Sequence, residues 1–177
     1  AIAVSLELEQ DYFRQELTFD PLILFRIFNY PALNESNAQQ WSVGEHTDYG
    51  LLTILRQDES GGLQVKSQNS WIDAPPIADS FVCNIGDMLD RMTGGTYRST
   101  AHRVRNPSST GRLSLPFFYD PSFDAKIQPI RTASTCNDES DRWDRENVHD
   151  FEGTYGDYIL KKVARVFPQL ARDQHIH

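Results

Sequence analysis

Two residues with metal-binding side chains stand close together in a His-x-Asp motif. His46 and Asp48 precede an apolar stretch that begins at Leu51. In an extended chain, residues two positions apart point to the same face, so an imidazole and a carboxylate would converge on one point. The motif alone fits a pair of exposed loop residues better, so other residues have to decide between the two interpretations.

A third candidate ligand, His102, lies in the apolar stretch 97–105. By itself, this residue also fits a buried histidine with a single hydrogen bond. Two His and one Asp together make the facial set that binds non-heme Fe(II) and leaves the opposite coordination face open. Two neutral imidazoles and one carboxylate leave the ion with about one net positive charge. That charge suits an anionic, bidentate co-substrate such as an α-keto acid.

Arg112 is the candidate residue for binding an anion. It follows His102 across a turn predicted over 106–111, so we expect the two strands to be antiparallel neighbours whose inward side chains line one pocket. His102 and Val104 share a face of the first strand, and Arg112 and Ser114 share a face of the second. A buried Arg is costly unless it meets an anion. A carboxylate bound bidentately by Arg112, with a further bond from Ser114, would meet this requirement. The alternative is a surface Arg in a hairpin.

Short apolar segments separated by turn residues make up most of the chain. A helix is predicted over 5–17, and another from the capping box Thr154-x-x-Asp157 to the stop at Pro168. Residues 132–150 read as a long polar loop. Seven strands separated by turn clusters favour an antiparallel sandwich or barrel. These strands are predicted at 22–30, 51–56, 63–66, 71–73, 81–85, 97–105 and 112–119. The strand at 63–66 is expected to return beside 51–56 across the turn at 58–62.

Six short stretches, in collinear order, carry a more specific signal. They are Asn-Tyr-Pro at 29–31, His-Thr-Asp-Tyr-Gly at 46–50, Gly-Leu-Gln-Val at 62–65, Asn-Ile-Gly-Asp at 84–87, Tyr-Arg-Ser-Thr-Ala-His-Arg-Val at 97–104 and Arg-Leu-Ser-Leu-Pro-Phe-Phe at 112–118. Together they resemble the Fe(II)/2-oxoglutarate-dependent dioxygenases of the isopenicillin N synthase-like family. The resemblance covers about residues 10 to 168.

The resemblance implies a mainly β fold with flanking helices around a double-stranded β-helix, or jelly-roll, core. It implies that the three candidate ligands of the facial set bind iron and are the catalytic centre. It also implies that Arg112 and Ser114 hold the distal carboxylate of 2-oxoglutarate and that Tyr30 reaches the same co-substrate. Phe118 and Asp120 fall where relatives contact the prime substrate.

Two departures from the family pattern stand out. Phe28 occupies the position where many plant relatives have Asn, so one polar co-substrate contact is missing. Family members also usually carry a further N-terminal segment that closes part of the core and of the substrate pocket. We therefore expect residues 1–177 to be a single jelly-roll domain without that segment.

The leading interpretation is an Fe(II)- and 2-oxoglutarate-dependent oxygenase. It would use O2 to hydroxylate or otherwise oxidise a small molecule while 2-oxoglutarate is decarboxylated to succinate. One alternative is a 2-oxoglutarate-independent iron oxidase of the isopenicillin N synthase type, in which the Arg-x-Ser pair holds a substrate carboxylate. Another is a non-catalytic metal-binding β-sandwich, against which the intact set of metal ligands and Arg-x-Ser pair argues. A zinc hydrolase is weaker still, because no general base stands beside the three ligands.

The composition excludes several other classes of function. The 25 acidic residues outnumber the 17 basic ones and give a net charge of −8, which argues against nucleic acid and anionic membrane surfaces as partners. No apolar run approaches the ~20 residues needed to span a bilayer. Cys83 and Cys136 lie in dissimilar surroundings, so we expect reduced thiols and a cytoplasmic protein. The expected partner is a small-molecule substrate, and the oligomeric state stays open.

Overall fold

Antiparallel strands dominate the computed structural model, which describes residues 1–32, 41–130, 147–166 and 168–169. The strands are β1 (Pro21–Phe25), β2 (Phe28–Tyr30), β3 (Val43–His46), β4 (Leu52–Gln57), β5 (Leu63–Ser67), β6 (Ser70–Asp73), β7 (Val82–Ile85), β8 (His102–Val104) and β9 (Arg112–Ser122). The helices are α1 (Ile2–Ser5), α2 (Tyr12–Glu16), α3 (Asp87–Met92) and α4 (Tyr155–Val166), with a 3-10 turn at Val148–Asp150. The mainly β class with flanking helices is confirmed.

The strands form two sheets that face each other. The larger sheet has the order β1-β9-β4-β7, with β2 also paired to β9, and the smaller has the order β3-β8-β5-β6. Leu55 of the larger sheet packs with Leu63 and Val104 of the smaller one. This pair of facing antiparallel sheets is the predicted jelly-roll core, with a cavity between the sheets.

Side chains alternate along the long strand β9 as the period of a strand requires. Arg112, Ser114 and Pro116 are buried between the sheets, whereas Leu113 is exposed. Strand β4 shows the same alternation, with Thr53, Leu55 and Gln57 inward. Several of these inward residues are polar, so polar side chains lie between the two sheets, where a β-sandwich usually has apolar ones.

A second apolar core lies between the helices and the adjoining loops. Its fully buried centre contains Met88, Leu89 and Met92 of α3 and Tyr155 of α4. The predicted capping box of α4 is confirmed, since the Thr154 amide donates to Asp157 Oδ2 at 2.9 Å and the Asp157 amide donates to Thr154 Oγ1 at 3.2 Å. This helical core is separate from the cluster between the two sheets, where the cavity lies.

Two hairpins expected from the sequence are wrong. The segments at 97–105 and 112–119 do not pair with each other, because β8 pairs with β3 and β5 while β9 pairs with β1, β2 and β4. Likewise, β5 does not return beside β4, which pairs instead with β7 and β9. Short connections cross from one sheet to the other at both places, and a turn of this length is compatible with either path. The inward faces of β8 and β9 therefore meet across the cavity.

Other elements differ in length from the sequence prediction. The helix predicted over 5–17 is two short helices, because Glu7 adopts a left-handed backbone conformation with φ 57°. The strand predicted at 22–30 is divided into β1 and β2, and only 102–104 of the stretch 97–105 is a strand. Most of the predicted loop 132–150, together with Cys136, lies outside the described residues. Within the described part of the chain, no helix is both long and apolar enough to cross a bilayer.

Candidate metal centre and adjoining cavity

The three predicted metal ligands come together at one end of the cavity. His46 ends β3, His102 begins β8, and the two are direct cross-strand partners. Asp48 lies in the loop that follows β3. Its Oδ1 is 3.6 Å from Nε2 of His102 and 4.0 Å from Nε2 of His46. One ligand atom from each residue lies within 4.8 Å of the others, which is close enough for one ion to contact all three.

The hydrogen bonds of both imidazoles leave the correct nitrogen available. Nδ1 of His46 is 2.9 Å from the Gly44 carbonyl, and Nδ1 of His102 is 3.1 Å from the Thr100 carbonyl. A carbonyl only accepts, so each Nδ1 carries the proton and each Nε2 presents a lone pair to the centre. Burial, followed by the neighbouring His102, lowers the pKa of His46 and favours the neutral form that a metal requires. The donor set therefore fits a divalent transition metal.

Asp48 is oriented by groups on the neighbouring strand and helix. Nδ2 of Asn84, on β7, donates to Oδ2 of Asp48 at 3.3 Å, which leaves Oδ1 turned towards the histidines. The Asp87 amide donates to the Asp48 carbonyl at 2.8 Å. From the sequence alone, Asn84 and Asp87 are interpreted only as turn residues. The sequence shows that the two residues are three positions apart. It does not show that they contact Asp48, because that depends on the pairing of β4 with β7.

The loop that carries Asp48 is fixed to the helical core. The fully buried carboxylate of Asp87 accepts hydrogen bonds from Thr47 Oγ1 at 3.3 Å, Ser99 Oγ at 2.7 Å and Tyr158 Oη at 2.7 Å. Any side chain at position 50 would require Asp120 to move, because a Cβ there would lie 1.5 Å from an oxygen of Asp120. The ligand loop is thus held by contacts that need no metal.

Arg112, on β9, is a completely buried cation. Its Nε donates to the Gly61 carbonyl at 2.5 Å and its Nη2 donates to Oε1 of Gln57 at 3.1 Å. Nη1 is buried and has no hydrogen-bond partner among the described residues. Burial lowers the pKa of Arg112, yet the ordinary value is so high that the side chain stays charged near neutral pH. A buried cation with an unpartnered N–H fits an anionic ligand.

Tyr30 lies beside this guanidinium. It is the cross-strand partner of Arg112, whose guanidinium carbon is 5.4 Å from the centre of the Tyr30 ring. Burial raises the pKa of Tyr30, and the nearby Arg112 opposes that change only in part. The phenol is therefore protonated at neutral pH and is available as a hydrogen-bond donor.

The cavity that joins the metal ligands to this region has a volume of about 120 Å³. The space is large enough for several water molecules or for a small molecule. Three of the predicted binding residues, Tyr30, Ser114 and Phe118, line it with His46, Asp48 and His102. The other lining residues are Phe28, Val43, Thr53, Leu55, Leu63, Asn84, Val104 and Pro116.

Asp120 is expected from the sequence to contact the substrate. In the structure its side chain lies against Gly50, in the loop that carries Asp48. Its Oδ2 accepts a hydrogen bond from Tyr155 Oη at 2.6 Å, and the Leu51 amide also bonds to it. Burial raises the pKa of Asp120 to about 6, while the hydrogen bond from Tyr155 opposes the change. The structure thus brings Tyr30, Ser114 and Phe118 to the cavity, places Arg112 beside Tyr30, and sets Asp120 among buried polar groups.

Two polar residues on the inward face of β4 were missed by sequence analysis. Gln57 contacts Arg112, and Thr53 lines the cavity with a buried hydroxyl that has no hydrogen-bond partner among the described residues. The signal that could have found them is their spacing, since Thr53, Leu55 and Gln57 alternate on one face of a strand.

The sequence matches the 2OG-Fe(II) oxygenase superfamily over residues 20–121. It is 53% identical over 187 aligned residues to a probable iron/ascorbate oxidoreductase of Dictyostelium discoideum, covering 96% of this chain and 52% of that protein. It is 47% identical over 201 residues to a 1-aminocyclopropane-1-carboxylate oxidase of Dictyostelium mucoroides, covering 95% of this chain and 55% of that one. The chain spans about half the length of these relatives.

A solved structure shares the fold described above. It is the crystal structure of a full-length Neurospora crassa protein in complex with α-ketoglutarate and thymine, which superimposes with a TM-score of 0.78 and 36% sequence identity. The match covers 94% of this chain and 50% of that one. At this level of sequence identity, the two proteins share a family as well as a sheet topology.

Proposed function

Because the chain belongs to the 2OG-Fe(II) oxygenase superfamily, we propose that it forms the catalytic part of an oxygenase that oxidises a small molecule. The enzyme would use Fe(II), 2-oxoglutarate and O2. The observation that carries this proposal is that the three-ligand metal set lines a small cavity together with Ser114 and Tyr30, and that Tyr30 lies beside the buried, incompletely bonded Arg112. Iron chemistry alone would not require the arginine, and an anion site alone would not require the three ligands.

His46, Asp48 and His102 would hold the iron, with Nε2, Oδ1 and Nε2 as the ligand atoms. Their carbonyl partners at Gly44 and Thr100 fix the two ring orientations before metal binds. When bound, iron would supply the redox chemistry that couples O2 reduction and 2-oxoglutarate decarboxylation to oxidation of the substrate. The chain's contribution is to leave one side of this set open towards the cavity.

Arg112 and Ser114 would bind the distal carboxylate of 2-oxoglutarate. The Arg112 Nη1 supplies a charged donor and the Ser114 hydroxyl a second one, both from inward positions of β9. Tyr30 adds a phenolic donor from β2. This arrangement would orient the keto acid so that its other end reaches the metal.

Apolar side chains would exclude water from the reacting groups. Leu55, Leu63 and Val104 pack around the cavity between the two sheets. Phe118 lies on the metal side of the same wall, where it pairs with Thr53, and we assign it to contact with the substrate. A dry wall of this kind strengthens the charge interactions made by Arg112 and limits side reactions.

An iron oxidase that does not use 2-oxoglutarate is the second candidate. The 47% identity to a protein named 1-aminocyclopropane-1-carboxylate oxidase favours it. In such an enzyme, Arg112 would hold a carboxylate of the substrate itself. The geometry of the cavity is the same for the two candidates, so binding of the keto acid has to separate them.

Anaerobic titration of the Fe(II)-loaded protein with 2-oxoglutarate tests the proposal. We expect a metal-to-ligand charge-transfer band that saturates with 2-oxoglutarate, and succinate release when O2 and a substrate are admitted. Tight iron binding without any such band would favour the oxidase. Iron binding with neither the band nor any O2 consumption would instead favour the non-catalytic metal-binding β-sandwich, and absence of stoichiometric iron binding would contradict the metal centre.

We also propose a cytoplasmic location. Ferrous iron is retained best in a reducing compartment, and Cys83 is an exposed free thiol on β7. Thiol titration of native and denatured protein without reductant should find both cysteines reactive. A protein with no titratable thiol after denaturation would contradict this location.

A further inference from the structure

Arg112 is held by neutral acceptors. The Gly61 carbonyl accepts from Nε, and Oε1 of Gln57 accepts from Nη2. Within the described part of the chain, no carboxylate forms an ion pair with this guanidinium. The nearby Asp58 attracts Arg112 without bonding to it, and its oxygens accept from backbone amides: Oδ2 from Leu113 at 2.5 Å and Oδ1 from Ser60 at 2.9 Å. Nη1 of Arg112 therefore remains available for a direct bond to a ligand.

The amide of Gln57 has a defined orientation. Its Nε2 donates to the Ala74 carbonyl at 3.2 Å, and only Oε1 can then face the guanidinium. Gln57 is also the cross-strand partner of Ser114, which lines the cavity and which we propose binds the distal carboxylate. The Gly61 carbonyl and Oε1 of Gln57 together hold the guanidinium of Arg112 in one orientation. Nη1 is the nitrogen that they leave without a partner.

We propose that Gln57 is a positioning and specificity-determining residue: it fixes Arg112 without neutralising it, and so makes the site select a ligand whose far end is a carboxylate. This inference rests on the proposed function, because the ligand is taken to be 2-oxoglutarate. A glutamate at position 57 would have nearly the same shape and would place a carboxylate against Nη2. That carboxylate would be an internal competitor for the charge that the ligand requires.

Gln57→Glu and a matched control test this role. The control is Gln64→Glu, because Oε1 of Gln64 also accepts from an arginine, Arg103 Nε, at 2.8 Å, but Gln64 lies on the smaller sheet, where its Nε2 donates to Asp73 Oδ1 at 2.8 Å. Calorimetric titration of the anaerobic Fe(II) protein would measure the Kd of 2-oxoglutarate. The same titration with 2-oxoglutaramate, whose distal carboxylate is an amide, would measure how far binding depends on the distal charge.

We expect Gln57→Glu to weaken 2-oxoglutarate binding by roughly ten- to a hundredfold, the scale of one hydrogen bond to a charged group. Binding of 2-oxoglutaramate should change much less, so the preference for the charged ligand should largely disappear. Gln64→Glu should retain the wild-type Kd and preference. A role that is merely structural would weaken both ligands equally and leave the preference unchanged, and that result would overturn the inference.

A second variant covers the case in which Gln57→Glu does not fold. Gln57→Met keeps the length of the side chain and removes the acceptor without adding charge. It should weaken binding of 2-oxoglutarate more than binding of 2-oxoglutaramate, because a guanidinium that Gln57 no longer orients loses its bond to the distal carboxylate. An unchanged Kd for 2-oxoglutarate in Gln57→Met would overturn the inference. A wild-type protein that binds iron but neither keto acid would overturn the proposed function itself.

Discussion

Asn84 reaches across from β7 to the carboxylate of Asp48 and occupies the oxygen that faces away from the two histidines, with Nδ2 at 3.3 Å from Oδ2. The amide thereby sets which carboxylate oxygen is left for a metal. Partners of this kind around a metal site affect metal affinity although they do not touch the ion.

Asn84→Ala should therefore weaken Fe(II) binding by roughly ten- to a hundredfold, the usual effect of losing such a partner. The measurement is competition for Fe(II) against a chelator of known affinity. Asn69→Ala, at an exposed position in the turn between β5 and β6, is the control and should bind iron as the wild type does. Equal affinity in the two variants would show that the Asp48 carboxylate keeps its orientation without the amide.

His102→Ala should abolish stoichiometric Fe(II) binding, because it removes one of only three ligands in the facial set. His149→Ala is the matched control, since its imidazole lies 3.2 Å from Asp90 and is not part of that set. Metal analysis after anaerobic loading and desalting gives the iron content. Full retention of iron by His102→Ala would contradict the assignment of the three ligands.

Arg112→Lys should keep the charge and lose the planar two-donor arrangement. We expect a loss in 2-oxoglutarate affinity of about 1–3 kcal/mol, with iron binding little changed. Arg103→Lys is the control, because Arg103 stacks between Trp41 and Trp71, with its guanidinium carbon 3.9 Å from each ring centre. Anaerobic titration of the charge-transfer band gives the affinities. An identical titration in wild type and Arg112→Lys would argue that the ligand carboxylate lies elsewhere.

Asp120 should make the metal-free protein less stable as the pH rises from about 4 to above 6. Burial raises its folded pKa to about 6, whereas the unfolded value is near 3.8, so the folded state binds the proton more tightly. The contribution is present below pH 4 and is lost as pH rises through the folded pKa, by at most about 3 kcal/mol. Urea unfolding at several pH values, compared with Asp120→Asn, isolates it. Parallel pH profiles in the two proteins would contradict the raised pKa.

Thr53→Val should leave the free energy of unfolding unchanged or raise it by about 1 kcal/mol, because the buried hydroxyl that it removes has no partner among the described residues. Thr93→Val is the contrasting variant. The Thr93 hydroxyl is buried and donates to the Leu89 carbonyl at 2.8 Å, so its loss should cost about 1–3 kcal/mol. Chemical denaturation measures both. A loss of stability in Thr53→Val as large as that in Thr93→Val would mean that its hydroxyl is already satisfied.

The sequence alone determined the types of residue that the site contains. Side chains such as His46, Asp48 and Arg112 are expensive to bury without a partner, so their presence in apolar or strand-forming stretches already indicates a metal and an anion. Local patterns were equally reliable where the interaction is itself local. The capping box at Thr154 and Asp157 depends on residues three apart, and the hydrogen bonds confirm it.

Only the tertiary structure decided which strands face each other. The alternation of polar and apolar residues determines the inward face of β8 and β9 but carries no information on their partners, and the turn between them can close a hairpin or cross to the other sheet. The roles of Asn84 and Gln57 were hidden for the same reason. An amide has a donor end and an acceptor end, and which end faces Asp48 or Arg112 depends on contacts between residues that are distant in the chain.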